Sequence, residues 1–222
     1  MTNVLRPPPA TIGLRGGLFV GRLIAAILVA AVVAGGVWLL RDALLRGAAN
    51  VWIVSDPVTQ SDVVAVLGGD LEVRPFVAAE LYRKGLVHKV LVSKVPGTRS
   101  SRIGGVPGHS QLQRTLLLNL GVPDAAIGTF GEANRNTNDE AVALRDWVNR
   151  HGVLRIVIPT EIFAARRVRW IFDREFAGTS VRLAVPSFEP PQYTQEEWWK
   201  SEGGVIAFQN EVMKYIYYRM RY

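Results

Sequence analysis

Residues 23–40 form a run of eighteen without one charged side chain, built from Leu, Ile, Ala, Val, Gly and a single Trp. As a helix rising about 1.5 Å per residue, the run reaches about 27 Å, close to the thickness of a bilayer's hydrocarbon core. Leu18-Phe19-Val20 extends it beyond Arg22, whose long stem can carry its charge to the interface. Trp38 falls near the other end, where interfacial aromatics are favoured. A cleaved signal peptide is the competing reading. Gly47-Ala48-Ala49 offers small residues for cleavage, but the apolar run is longer than a usual signal core, and Arg41, Asp42 and Arg46 intervene. The expectation is an uncleaved single-pass anchor over 18–40. It follows a tail over 1–17, in which Pro7-Pro8-Pro9 reads as extended, and precedes a linker over 41–60. No second apolar run of this kind occurs, which excludes a multi-pass bundle.

The positive-inside rule orients the anchor by a narrow margin. Arg6, Arg15 and Arg22 precede it, and Arg41 and Arg46 follow. The tail is then cytoplasmic and the remainder extracytoplasmic. The net charge of +7 divides as +4 over residues 1–49 and +3 over the rest. A nucleic-acid binder would concentrate its basic residues in one stripe. Here the densest cluster is Arg166, Arg167, Arg169 and Arg174 on one presumptive helix, so nucleic acid is not an expected partner. With no cysteine, disulfide frameworks, thiolate metal sites and Cys nucleophiles are excluded.

From residue 61 to 222 the pattern alternates short β-branched runs with helical stretches, in a length that suits one domain. Strands are expected at 63–67, 90–92, near 127, at 156–158 and at 181–185. Helices are expected at 75–84, 111–120, 137–151 and 163–176. The continuous apolar strand 63–67 reads as buried on both faces. Pro75 suits a first helical position, with Gly85 after the end. Thr137 with Glu140 three residues later has the form of a capping box. Strands alternating with helices imply an α/β fold, Rossmann-like, with a parallel sheet covered by helices on both faces. Such sheets bind ligands beyond the carboxyl ends of their strands.

That rule collects a candidate site: Gly68, Gly69 and Asp70 after the first strand, Ser93 after the second, Thr160 and Glu161 after the fourth, and Asn136 and Thr137 at a helix start. Two glycines after a buried strand let backbone N–H groups approach a phosphate or carboxylate, or they form a plain tight turn. Arg74 opens a helix, where the dipole disfavours a cation, so a ligand-facing role gains weight over a surface one. Arg166 and Arg167 lie on adjacent faces, so one of them faces the site; a guanidinium there grips a phosphate bidentately or pairs with a neighbouring acid. Asp70, Glu140 and Glu161 are the acid/base candidates. Glu140 also serves the capping box, and Asp70 also completes a turn. No nucleophile-elbow sequence surrounds Ser93, and the three histidines form no metal cluster. His109, beside the Gly- and Ser-rich loop 97–108, is the histidine worth testing. The C-terminal segment sets Val205, Phe208, Val212, Ile216 and Met220 on one helical face, interleaved with Tyr and basic residues. Packing against the sheet and contact with a lipid interface both fit that composition.

These pieces resemble the YdcF-like (SanA/ElyC) family of bacterial envelope proteins over about residues 61–185. The resemblance rests on Asp62-Val-Val-Ala-Val-Leu-Gly68-Gly69, Arg74, Leu81-Tyr82-Arg83-Lys84-Gly85, Val90-Leu91-Val92-Ser93, Leu120-Gly121-Val122-Pro123, Asn136-Thr137 and Arg167. It implies a single Rossmann-like domain, often membrane-anchored and linked to cell-envelope or cell-wall biogenesis, in the bacterial inner membrane. It favours Arg167 over Arg166, and it names no established reaction or cofactor. One member is associated with S-adenosylmethionine. The chain departs from the family pattern at Lys94, Glu140 and Ala164. The leading expectation is a protein that binds or processes a phosphorylated envelope precursor, lipid-linked or a nucleotide, through Gly68, Gly69, Arg74, Ser93, Asn136, Thr137, Thr160 and Arg167, with Glu161 or Asp70 as acid/base. The alternatives are a non-enzymatic assembly factor and an S-adenosylmethionine binder.

Overall fold

The computed structural model describes residues 14–222, with side chains from Phe19 onward. It separates into two compact units, Met1–Leu45 and Arg46–Tyr222. All that is described of the first unit belongs to helix α1, Leu14–Trp52. It is long and apolar enough to cross a membrane, and no residue of its apolar window is buried in protein. The Arg41 guanidinium lies 4.0 Å above the Trp38 ring. The tail expected over 1–17 falls outside the described residues up to residue 13, and from Leu14 the chain is already helical. The linker expected over 41–60 is corrected in its first part. Residues 41–52 continue α1, because Asp42-Ala-Leu-Leu-Arg-Gly-Ala-Ala contains strong helix formers and no proline.

The second unit is α/β. A five-stranded parallel sheet is built from β1 (Val63–Val66), β2 (Lys89–Ser93), β3 (Ile127–Phe130), β4 (Arg155–Val157) and β6 (Arg182–Ala184), in the order β3-β2-β1-β4-β6. β1 is central, with Val64 opposite Val90 on one side and Val157 on the other. All four of its residues are buried, so no polar alternation shows in its sequence.

Two cores follow from the pleat. Val63, Ala65, Leu91, Ile156 and Leu67 face α5 (Thr137–His151) and α6 (Ala165–Glu175) through Leu144, Val148, Val168, Ile171 and Phe172. Val64, Val66, Val90, Val92 and Val157 face α2 (Arg74–Arg83) and α4 (His109–Asn119) through Ala78, Ala79, Leu81 and Leu117. Leu144 is fully buried. Truncating such a leucine to Ala costs about 2–5 kcal/mol, because a cavity adds to the lost transfer energy. At the sheet edge, exposed Arg182 blunts β6 against further strand pairing.

Other elements depart from the expectations. The loop 97–108 contains a short helix, α3 (Arg99–Arg102), capped by Thr98. A second, two-stranded parallel sheet pairs β5 (Thr160–Glu161) with β7 (Ser187–Phe188). The strand expected at 181–185 is therefore not the last. Helix α7, Glu202–Arg221, packs mainly on α6 and the preceding turn, with only Tyr218 reaching the core beneath the sheet. Ile216 and Met220, expected on its packing face, are 45% and 83% exposed.

Candidate functional site

The carboxyl ends of the strands border a cleft of about 760 Å³. Gly68, Gly69, Asp70 and Arg74 line it from the β1–α2 connection, Asn136, Thr137 and Glu140 from the start of α5, and Glu161 from β5. Arg167 of α6 and Glu211, Lys214 and Tyr218 of α7 complete it. The residues collected from distant stretches of sequence thus share one hollow, with two exceptions. Ser93 and Thr160 are wholly buried and do not line it. Ser93 accepts a hydrogen bond from Asn134 Nδ2 at 3.0 Å, and the Thr160 hydroxyl donates to Glu161 Oε2 at 3.1 Å. They brace the wall behind the surface, and their expected ligand contact is corrected accordingly.

The Gly68–Gly69 turn is hydrogen-bonded through both of its N–H groups. Gly68 N–H donates to Glu140 Oε1 at 2.6 Å, and Gly69 N–H donates to His109 Nε2 at 3.0 Å. Arg74 Nη1 donates to Gly68 O at 2.5 Å. Gln113, fully buried on α4, donates through Nε2 to Leu67 O at 2.9 Å and to Asp70 O at 3.1 Å. Gly69 has a φ of +94°, a region that side-chain-bearing residues rarely adopt. Gly68 is needed for space, since a Cβ there would overlap Val95 Cγ1. The turn was expected to present open N–H groups. The folded chain fills them with its own carboxyl and imidazole.

Each candidate arginine is held by a carboxylate. Arg74 Nη2 lies 2.7 Å from Glu161 Oε2, and both side chains are largely buried. Arg74 Nε is buried without a hydrogen-bond partner. Arg167 meets Glu211 through two hydrogen bonds, Nε to Oε2 at 2.7 Å and Nη2 to Oε1 at 3.1 Å, and donates from Nη1 to Thr137 Oγ1 at 2.7 Å. Lys214 Nζ adds to Glu211 Oε1 at 2.9 Å. Arg166 leaves the cleft altogether, donating to the carbonyls of Trp52 and Val51. Of the two adjacent arginines, Arg167 is the one that lines the cleft.

Asp70 caps α2. Its carboxylate accepts from the N–H groups of Glu72 at 3.1 Å, Val73 at 2.9 Å and Arg74 at 2.8 Å. Burial alone would raise its pKa, but the N–H groups of Arg74, Val73 and Glu72 outweigh it and hold the carboxyl below its ordinary value. Asp70 is thus a fixed anion rather than a proton shuttle. Glu140 is the opposite case. It was expected to complete a capping box with Thr137, but Asn136 is the cap. Asn136 Oδ1 takes the N–H groups of Asn138 at 2.9 Å and Asp139 at 3.0 Å from an extended backbone. Glu140 instead turns inward, and burial pushes its carboxyl above the ordinary range despite Gly68 N–H, Arg74 and Ser93. His109 is displaced the other way: burial, then the Arg74 guanidinium, hold its imidazole below the usual value, with Asp70 opposing. Two proton-carrying groups whose environments push their pKa values toward each other thus flank adjacent residues of one turn.

Sequence reasoning passed over Glu211, whose burial is signalled by its spacing. Gly204, Glu211 and Tyr218 recur every seven residues on the buried side of α7. It also passed over Tyr193, whose ring stacks on Phe163 at 5.4 Å and gives the cleft an aromatic wall. Burial and the nearby Glu161, Glu211 and Asp70 hold the Tyr193 phenol far above its usual pKa. Among the described residues no group of three or more His, Cys, Asp or Glu is arranged to hold a metal ion. No family model matches this chain. No curated protein matches it either.

Proposed function

We propose that the second unit is a membrane-anchored binding domain for a phosphorylated sugar, acting on the extracytoplasmic side of a bacterial inner membrane in envelope biogenesis. The observation that carries the reading is convergence. Gly68, Gly69, Arg74, Asn136, Thr137, Glu161 and Arg167, scattered over about a hundred residues, border one cleft at the carboxyl ends of parallel strands. The strand order is that of a doubly wound, Rossmann-like sheet, and the cleft opens beside β1 and β4, where the order reverses.

The lining chemistry favours a sugar phosphate over a bare nucleotide. The carboxylates Asp70, Glu161 and Glu211 suit sugar hydroxyls, the Phe163–Tyr193 wall suits the apolar face of a ring, and Arg74, Arg135, Arg167 and Lys214 suit a phosphate. A dinucleotide or S-adenosylmethionine site would set an acid at the end of the second strand for the ribose. Here that position holds Ser93 and Lys94. If the ligand is processed, His109 and Glu140 are the proton-carrying groups that flank the turn, beside Glu161 paired with Arg74 and Asp70 held as an anion.

Thermal unfolding of the full chain in detergent tests the reading, with a sugar 1-phosphate, a nucleoside diphosphate sugar and a polyprenyl phosphate as probes. Saturation at 100 times Kd stabilises by about 2.7 kcal/mol, a Tm rise of roughly 5–10 °C for a unit of this size. The rise is expected to shrink in Lys214→Ala and Arg135→Ala, which alter exposed cleft residues. Cooperative unfolding with no rise from any phosphorylated probe at millimolar concentration rejects the function. A topology reporter fused after Tyr222 tests the side of the membrane.

A further inference from the structure

α7 has two unlike faces. Gly204, Glu211 and Tyr218 are buried. On the opposite side Ile206, Met213 and Met220 also recur every seven residues, and they are 48%, 65% and 83% exposed. Ile216 and Tyr217 widen this stripe. Lys214, Arg219 and Arg221 stand exposed around it. The neighbours of Arg219 and Arg221 are aromatic: Arg219 lies over the Trp170 and Tyr215 rings, and Arg221 over Tyr222. A helix with an apolar stripe and basic flanks is the form that settles into a lipid headgroup layer.

Tethering argues for lipid as the occupant. Within the second unit, α7 packs directly on Trp52, the last residue of α1, through Phe208 at 5.8 Å and Tyr215 at 5.5 Å. Only eleven residues of chain lie between Leu40, the end of the apolar run, and Trp52. Even fully extended they reach at most about 40 Å, and less as helix. If residues 18–40 span a bilayer, Trp52 and the part of α7 packed on it lie within that reach of its surface.

We propose that the Ile206–Met213–Ile216–Met220 stripe of α7 lies on the anionic headgroup layer of the membrane that α1 enters. The proposal rests on α1 being a membrane anchor. It deepens the reading of the cleft, because α7 also lends Asn210, Glu211, Lys214, Tyr217 and Tyr218 to that wall.

The absence of cysteine makes the test clean, because any introduced thiol is unique. Met213→Cys and Met220→Cys, with Lys84→Cys and Arg150→Cys as controls, are reacted with a membrane-impermeant maleimide. The full chain is used in detergent, in zwitterionic nanodiscs and in nanodiscs with anionic lipid. Labelling at 213 and 220 is expected to slow at least roughly fivefold in anionic nanodiscs, the effect of one basic side chain near an anionic surface, with the controls unchanged. Replacing Lys214, Arg219 and Arg221 together by Glu is expected to restore fast labelling while thermal unfolding stays cooperative. Equal labelling in detergent and anionic nanodiscs overturns the proposal. So does protection that tracks protein concentration rather than lipid charge, which would identify a second copy as the occupant. Carbonate extraction of membranes separates the premises: release of the chain overturns the anchor and the α7 proposal together, whereas retention with fast labelling overturns the α7 proposal alone. The thermal-shift result for the cleft stands independently of both.

Discussion

The Arg167–Glu211 pair gives the sharpest stability prediction. Only 6% of the Arg167 side chain and 11% of the Glu211 side chain are exposed. The two hydrogen bonds between them, with Thr137 on Arg167 Nη1, satisfy most of what the guanidinium can donate. Glu211→Ala removes the carboxylate and leaves a buried cation beside Lys214. Breaking a buried pair from one side costs about 3–5 kcal/mol, chiefly because the remaining charge is desolvated and unpaired. For a unit of this size that lowers Tm by about 6–20 °C. Arg167→Ala is expected to cost a similar amount, and the double variant less than the sum, with a coupling of about 2–3 kcal/mol. Burial alone would raise the Glu211 carboxyl, but Arg167 and Lys214 hold it below its ordinary value. The pair's contribution is therefore full above the unfolded carboxyl value of about 4.3 and is lost as pH falls through the lower native value. Circular dichroism melts of the four proteins, at about pH 7 and about pH 3, measure all of this. Single variants that each lose under about 1 kcal/mol, or costs that add without coupling, refute the reasoning.

Further outcomes follow from the Gly68–Gly69 turn. Glu140 has the opposite sign from Glu211: its raised native pKa means the folded state keeps a proton that the unfolded state releases, so stability falls as pH rises above about 4.3. Glu140→Gln is expected to gain Tm relative to the parent at about pH 7.5 and little at about pH 4; an equal effect at both values contradicts the assignment. The His109 imidazole is expected to titrate below about 6.5 by NMR, and His109→Ala to cost about 1 kcal/mol by freeing the Gly69 N–H. A His109 titration at or above that value rejects this environment. Gly69→Ala is expected to cost roughly 1–2 kcal/mol through backbone strain alone, since a Cβ there meets nothing within 4 Å. Gly68→Ala should instead be partly rescued by Val95→Ala, and the absence of rescue would place its cost elsewhere.

What the sequence made legible was what short stretches determine. β1 announces itself as an unbroken apolar run, and the stripe Ala141, Leu144, Trp147 and Val148 announces α5. The β5–β7 sheet was hidden because each strand is two residues long and finds its partner twenty-seven residues away. Glu140 was misread because a local rule competed with a distant one. Its spacing from Thr137 fits a capping box, but Asn136 is the stronger cap and already supplies the helix, which frees the carboxyl for Gly68, seventy-two residues earlier. Asp70 and Arg74 both line the cleft, but their bonding within it was not legible. No spacing rule reveals that one gathers three backbone N–H groups at the start of α2, or that the other is already paired with Glu161.

The neutralised arginines also constrain what the cleft can select. A buried Arg–Glu pair contributes little over well-packed apolar side chains of the same volume, so packing alone gives no reason for guanidinium groups at residues 74 and 167. On the proposed reading, Glu161 and Glu211 stand where a ligand's anion would otherwise bind. An incoming group must match a carboxylate that already makes two hydrogen bonds to Arg167. Monovalent anions with one acceptor lose that competition. A phosphate, with several oxygens and up to two charges, can replace both bonds while the displaced carboxylate turns to a sugar hydroxyl. The same exchange makes Glu211→Gln informative. It keeps the shape, removes the competing charge, and is expected to tighten phosphate binding by about tenfold or more while lowering the stability of the unliganded fold. Unchanged affinity, measured by calorimetry on the folded variant, would mean that the phosphate does not enter at Arg167.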